Sequence, residues 1–184
     1  MTKYDRLPTF DDDFIHVVIE TPRGAAAKFS YDPDLKAFAY SHPLPAGISY
    51  PFDWGFIPST QGEDGDPLDG LIIHQAASSP GIVMKCSLLG ALTVEQTEKG
   101  ESFHNDRYLL CPQKQGAEDA PATQGVPDEL RQEIKQFLQA SVLGSDKKLK
   151  FLGWQSAEQA LAGIKKGKKA FRRRNARKIA AQSQ

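Results

Sequence analysis

Tyr50-Pro51-Phe52-Asp53-Trp54-Gly55-Phe56-Ile57-Pro58, followed by Glu63-Asp64-Gly65-Asp66-Pro67-Leu68-Asp69-Gly70, is the most informative stretch of the chain. Asp64, Asp66 and Asp69 lie close together, pinned by Gly65 and Pro67. Glycine allows unusual φ and proline fixes it, so such a loop can hold its acids in a defined array. Carboxylates this close repel one another, and a cation or a shared proton relieves the cost. Clustered hard oxygen ligands suit Mg²⁺, Mn²⁺ or Ca²⁺ rather than zinc. The same residue types also build ordinary acidic surface turns, and a lone Asp-x-Asp-x-x-Asp would read that way. The aromatic-rich segment before the acids and the apolar Leu71-Ile72-Ile73 after them favour a metal site.

Outward from this stretch the chain reads as strands. Phe14 to Glu20 is rich in β-branched residues. Lys28 to Tyr31 and Ala37 to Tyr40 alternate with period two around an Asp32-Pro33-Asp34 turn. Leu71 to His74 is a short buried strand, Ile82 to Val94 a longer one interrupted by Gly90, and Tyr108 to Cys111 another, stopped by Pro112. Gln113 to Gly125 is polar and reads as a loop. Pro127-Asp128-Glu129 opens a helix, with Leu130, Ile134, Phe137 and Leu138 at helical spacing. Ser156 to Gln159 predicts a capping box for a second helix, with Leu161 and Ile164 turned inward. Many strands followed by two helices predict a mainly β (α+β) fold, a closed β-barrel with the helices packed on it.

The chain of 184 residues is long enough for one domain with its own core, expected over residues 1–164. No apolar run approaches the ~20 residues that span a bilayer, and Met1 to Arg6 lacks a signal-peptide core. Cys86 and Cys111, each in an apolar stretch, read as buried thiols in a reducing cytoplasm. The zero formal charge hides an asymmetry. Residues 1–164 hold 14 Lys/Arg against all 23 Asp/Glu, a charge of −9, whereas residues 165–184 hold nine Lys/Arg and no acid. Like charges this dense resist a compact fold, so residues 165–184 read as a solvated, mobile helix extension that the chemistry does not need. Polyanion binding by this basic tail, or docking on a neighbouring subunit, is the less favoured reading.

The two motifs resemble the signature of the soluble family I inorganic pyrophosphatases: an aromatic Tyr-Pro-x-x-aromatic-Gly segment, then Asp-Gly-Asp-Pro-x-Asp. The resemblance runs from about Phe14 to about Ala162. It implies a small OB-like closed barrel, a multi-cation site using Mg²⁺ (or Mn²⁺), a homo-oligomer, and pyrophosphate as substrate. It also implies roles. Asp64 and Asp69 would bind metal, and Asp66 would both touch metal and act as base on the water that the metal activates. Glu20 would line the same site, Lys28 would contact phosphate, and Tyr50 would be an active-site tyrosine. Taken alone, Glu20 is a strand-end acid, Lys28 a surface lysine and Tyr50 a packing aromatic.

Several positions depart from the family pattern. The loop with two metal-binding aspartates and a phosphate-binding lysine falls on Glu95 to Arg107. The first aspartate falls at or near Gln96, with Glu95 and Glu98 as possible substitutes. If Arg107 takes the lysine role, Asn105 falls on the second aspartate and Asp106 is one step off. A one-residue shift on a strand reverses the side-chain face, so Asp106 could bind metal only in a rebuilt loop. Ser30 stands for an acid, and Trp54 for a tyrosine while keeping an N–H donor. His42 stands for an arginine without the bidentate fork. Ala140-Ser141-Val142 replaces a Tyr-Lys pair, leaving Lys147, Lys148 or Lys150 as nearby cations.

The expected function is Mg²⁺-dependent hydrolysis of pyrophosphate by metal-activated water, in the cytoplasm. One alternative is a pyrophosphatase-fold protein with weak or no such activity, which binds or hydrolyses another phosphate compound. The other is a nucleic-acid-binding barrel resting on the tail. The chain lacks the exposed aromatics interleaved with basic residues that single-strand binders use.

Overall fold

A computed structural model describes residues 3–113 and 126–182. The expected loop of Gln113 to Gly125 lies outside them from residue 114 on. The strands are β1 (Phe10–Asp11), β2 (Phe14–Thr21), β3 (Ala27–Asp32), β4 (Ala37–Pro43), β5 (Asp53–Ile57), β6 (Leu68–Ile72), β7 (Val83–Glu98), β8 (Glu101–His104), β9 (Arg107–Pro112) and β10 (Lys148–Gln155). The helices are α1 (Asp128–Ser141) and α2 (Ala157–Gln182).

Five strands form a ring. β2 pairs with β5, β5 with β6, β6 with β9, β9 with β7, and β7 returns to β2. Only the β6–β9 pairing within this ring is parallel. β3 and β4 form a separate hairpin, and β8 and β10 extend the sheet along β7. Among the described residues no helix is long and apolar enough to cross a membrane.

Strand alternation sends side chains to two apolar clusters. Ile15, Val17 and Ile19 of β2, with Ile72 and Leu110, pack against Ala160 and Ile164 of α2. Leu71, Leu92, Val94 and Leu109 pack with Tyr50, Trp54 and the α1 residues Ile134, Phe137 and Leu138. The helical spacing of the last three therefore faces the sheet as expected, and Leu130 packs against the same cluster. The Ser156–Gln159 capping box also forms. The Gln159 N–H donates to Ser156 Oγ at 3.3 Å, and the Ser156 N–H to Gln159 Oε1 at 3.0 Å.

Two features differ from the sequence expectation. β7 does not stop at Val94 but continues to Glu98, because β8 and β10 pair with its polar end. Lys148 to Lys150 belong to β10 rather than to a loop. Helix α2 passes residue 164 without a break and remains helical to Gln182, as a helix extension would.

Asp53, inside the aromatic motif, is fully buried. Its Oδ1 accepts from the Arg23 N–H at 2.7 Å, and its Oδ2 meets the His74 ring at 2.7 Å and accepts from Ser78 Oγ. Burial raises this carboxyl, but the bonds from Ser78, Arg23 and His74 outweigh it and hold it below the usual carboxylate range. A depressed folded-state pKa gives stability that is present above the unfolded value of about 4 and lost as pH falls through the folded one. We expect Asp53→Asn to lower the unfolding free energy by about 2 kcal/mol at pH 7, with the gap to wild type closing in acid. Urea titrations across pH test this, and a gap independent of pH would exclude the charge as the cause.

Candidate active site

Glu63, Asp64 and Asp66 sit on a tight loop between β5 and β6, and Asp69 follows on β6. Thr60 closes the base of the loop, donating from Oγ1 to the Ile57 carbonyl and accepting the Leu68 N–H at 3.0 Å. Within it the Gly62 N–H donates to the Asp66 carbonyl at 2.7 Å, and the Asp66 N–H to Asp64 Oδ1 at 3.0 Å. Gly65 has φ 90°, a left-handed conformation that glycine adopts without steric cost. Asp64 thus spends one carboxylate oxygen shaping the loop while Asp66 is held at both ends of its backbone. Glu63 Oε2 accepts the His104 N–H at 2.9 Å and ties the loop to β8.

Asp69 and Arg107 are neighbours across the parallel β6–β9 pairing. Arg107 Nη1 donates to Asp69 Oδ2 at 2.6 Å, and Trp54 Nε1 to Asp69 Oδ1 at 3.2 Å. The N–H that Trp54 retains is therefore used. The Arg107 side chain is 6% exposed. It also donates to the Asn105 carbonyl at 2.8 Å, to the Asn105 side chain, and to Gln96 Oε1 at 3.3 Å. Gln96 and Asn105 are in turn linked at 3.4 Å. Two amides and a guanidinium thus form the wall beside Asp69.

Asp64, Asp66, Asp69, Lys28, Tyr50, His42 and Arg107 all line one cavity of about 1010 Å³. Glu20 lines an adjoining cavity, and Lys28, Asp66 and Asp69 belong to both. Asp106 lines neither; its Oδ1 accepts the Val94 N–H at 3.2 Å, while Asn105 and Arg107 on either side of it face the large cavity. The one-residue shift places its carboxylate against β7. Of the three nearby lysines, Lys147 reaches the cavity and pairs with Glu98 at 3.2 Å, whereas Lys150 pairs with Glu95. Glu98, one of the two possible substitutes for the first aspartate, lines the cavity, and so does Glu63, which the sequence reading did not assign there.

The acids are under electrostatic load. Burial pushes Glu20 up to about 7; the Tyr31 N–H and Lys28 oppose this, while Asp69 and Asp66 add to it. Desolvation raises Asp64 to about 6, with Asp69 and Asp66 again adding to the rise. Burial also raises the Tyr50 phenol, which keeps it a protonated donor. Burial lowers His42, helped by Lys28 and Lys147. Among the described residues no three acid, histidine or cysteine side chains already enclose a single cation position. The donor set is nonetheless all hard oxygen, and the charges of Asp66 and Asp69 help to raise the carboxyls of Glu20 and Asp64, which fits a divalent cation that draws the acids together.

Comparison with known proteins follows this geometry. The family description "Inorganic pyrophosphatase" matches residues 17–172. An inorganic pyrophosphatase of Thermus thermophilus is 35% identical over 170 residues, covering 90% of this chain and 95% of its own. One from Nostoc sp. is 31% identical over 159 residues, covering 86% and 92%. A crystal structure of the inorganic pyrophosphatase from Thermus thermophilus superposes with a TM-score of 0.83 at 33% identity, over 93% of this chain and 99% of that one.

Proposed function

The chain belongs to the inorganic pyrophosphatase family, and from that premise we propose that it hydrolyses inorganic pyrophosphate to two phosphates with Mg²⁺ as cofactor. The observation that carries this reading is the single cavity in which Asp64, Asp66 and Asp69 meet Lys28, His42 and Arg107. Pyrophosphate is a dense anion with a stable bridge, so its hydrolysis needs carboxylates for metal and donors for phosphate oxygens together.

Asp64, Asp66 and Asp69 would hold the cation, and Glu20, which lines the adjoining cavity with Asp66 and Asp69, would supplement them. When bound, a divalent ion supplies Lewis acidity, orients the phosphates and lowers the pKa of water. Asp66 accepts the proton of the attacking water; its support is a backbone fixed on both sides and a place where the two cavities join. Lys28 and Arg107 offset the charge of the phosphate oxygens, and His42 and Tyr50 donate hydrogen bonds to them. Asp69 orients Arg107 through their 2.6 Å pair. Asp106 takes no direct part, since its carboxylate holds the Val94 N–H. The reading extends to a cytoplasmic homo-oligomer. Cys86 and Cys111, both buried and outside any disulfide, suit a reducing compartment.

The experiment is phosphate release from pyrophosphate by purified protein, with Mg²⁺ and with chelator. We expect release with Mg²⁺ and its loss under chelation. No release in either condition would move the reading to another phosphate compound.

A further inference from the structure

Helix α2 continues for more than four turns beyond Ile164, its last side chain in the apolar core. Charge density alone predicts that this segment is solvated and mobile. It instead lies against the acid loop. The Gln61 N–H donates to the Gly167 carbonyl at 3.1 Å, a bond between the loop and the middle of the helix. Gly167 is buried, and a Cβ there would stand 2.7 Å from Leu68 Cδ1, so the absence of a side chain is what lets helix and loop approach. One turn before the segment reaches the rim, Lys168 stacks on the Phe10 ring of β1 at 4.7 Å. Two turns past Gly167, Arg174 Nη1 donates to the Gly65 carbonyl at 2.8 Å. Gln61 Nε2 reaches the same oxygen at 3.4 Å. Phe171, Arg174 and Lys178 line the same cavity as Glu20, Asp66 and Asp69.

Gly65 sits between Asp64 and Asp66 and has the left-handed φ on which the turn depends. A donor on its carbonyl fixes the orientation of that peptide, and with it the directions in which the two flanking carboxylates leave the loop. The donor is a guanidinium, so the bond is charge-assisted and also places positive charge beside three acids. We propose that Arg174 is a positioning residue. Through Gly65 it holds Asp64 and Asp66 in the arrangement that binds divalent metal, and the basic segment of α2 is therefore part of the site rather than an appendage. This rests on the reading of Asp64, Asp66 and Asp69 as metal acids. It also reverses the expectation that residues 165–184 are dispensable.

The test compares wild type with Arg174→Ala, Arg174→Lys and, as a control on an exposed neighbouring position, Arg173→Ala. Three readouts are taken on the full chain: amide hydrogen exchange of residues 62–66, Mn²⁺ affinity by calorimetry, and the Mg²⁺ dependence of turnover. Arg174→Ala should speed exchange in the loop roughly tenfold, as loss of a charge-assisted bond implies. It should weaken Mn²⁺ binding by about tenfold or more, the range seen when a partner behind a metal ligand is removed. Turnover at saturating Mg²⁺ should recover most of its wild-type value, so that the defect lies in metal affinity rather than in chemistry. Arg174→Lys should recover part of both effects, and Arg173→Ala should match wild type. Thermal unfolding followed by circular dichroism checks that each variant is folded. Loop exchange unchanged in folded Arg174→Ala overturns the proposal, as does unchanged Mn²⁺ affinity in a wild type that binds the metal. If wild type binds no Mn²⁺ while loop exchange still accelerates, Arg174 positions the loop and it is the metal reading that fails.

Discussion

Asp66→Asn is expected to lower pyrophosphate turnover by a factor of about 10²–10⁴, the usual contribution of a positioned general base. The substitution keeps the volume of the side chain and removes its ability to accept a proton. It leaves the loop intact, because the bonds that hold Asp66 are made by its backbone: its N–H to Asp64 Oδ1 at 3.0 Å and its carbonyl from the Gly62 N–H at 2.7 Å. The thermal midpoint should therefore stay close to that of wild type while kcat falls. Wild-type turnover in Asp66→Asn would remove this residue from the proton transfer. Reduced stability together with reduced turnover would instead make its role structural.

Asp69→Ala should produce the second large effect, and on two observables at once. Mn²⁺ binding should fall by more than the roughly 100-fold upper range for partners behind a ligand, since Asp69 is proposed as a ligand itself. Stability should fall by about 3 kcal/mol, because removing one member of a buried ion pair leaves the other charge uncompensated. The stranded group is Arg107, 6% exposed, which would keep the neutral partners Gln96 and Asn105 and the face of the Trp54 ring but no carboxylate in salt-bridge contact among the described residues. Asp69→Asn separates the two effects. The amide still accepts the Trp54 N–H but cannot balance the guanidinium, so part of the stability loss should remain. Calorimetric heats equal to wild type in both variants would remove Asp69 from the metal site, whatever the urea midpoint shows.

The acid loop was legible because its chemistry is local. Gly65 and Pro67 constrain the backbone within a few residues of the acids, and the capping box at Ser156 and Gln159 spans one helical turn. Strand β2 announces itself through consecutive β-branched residues. Strand β10 does not. Its bulge between Phe151 and Gly153 breaks the alternation, and several of its side chains are exposed. The polar end of β7 was hidden for a related reason: Glu95 to Glu98 is a strand only because β8 and β10 flank it. Asp106 is an acid between two residues that line the cavity, yet it sits in the turn between β8 and β9 with its Oδ1 on the Val94 N–H, and it lines neither cavity.

By itself, the sequence determined which residue types stand together on short loops and strands, and so the acid cluster of Asp64, Asp66 and Asp69 and the family to which it points. Only the tertiary structure decided who their partners are. Arg107 reaches Asp69 because β6 and β9 pair in parallel with those two residues in register, 38 positions apart in the chain. Gln96 and Asn105 complete the wall because β7 folds back along β9. Arg174 meets Gly65 across 109 positions because α2 is anchored by Ala160 and Ile164 and comes close at Gly167. The physical reason is one of range. Backbone preferences and acid clusters act over a few residues and leave a mark in the local sequence. Strand register and helix docking are set by the burial of whole apolar faces, and a basic run such as residues 165–178 carries no local sign of the surface it will cover.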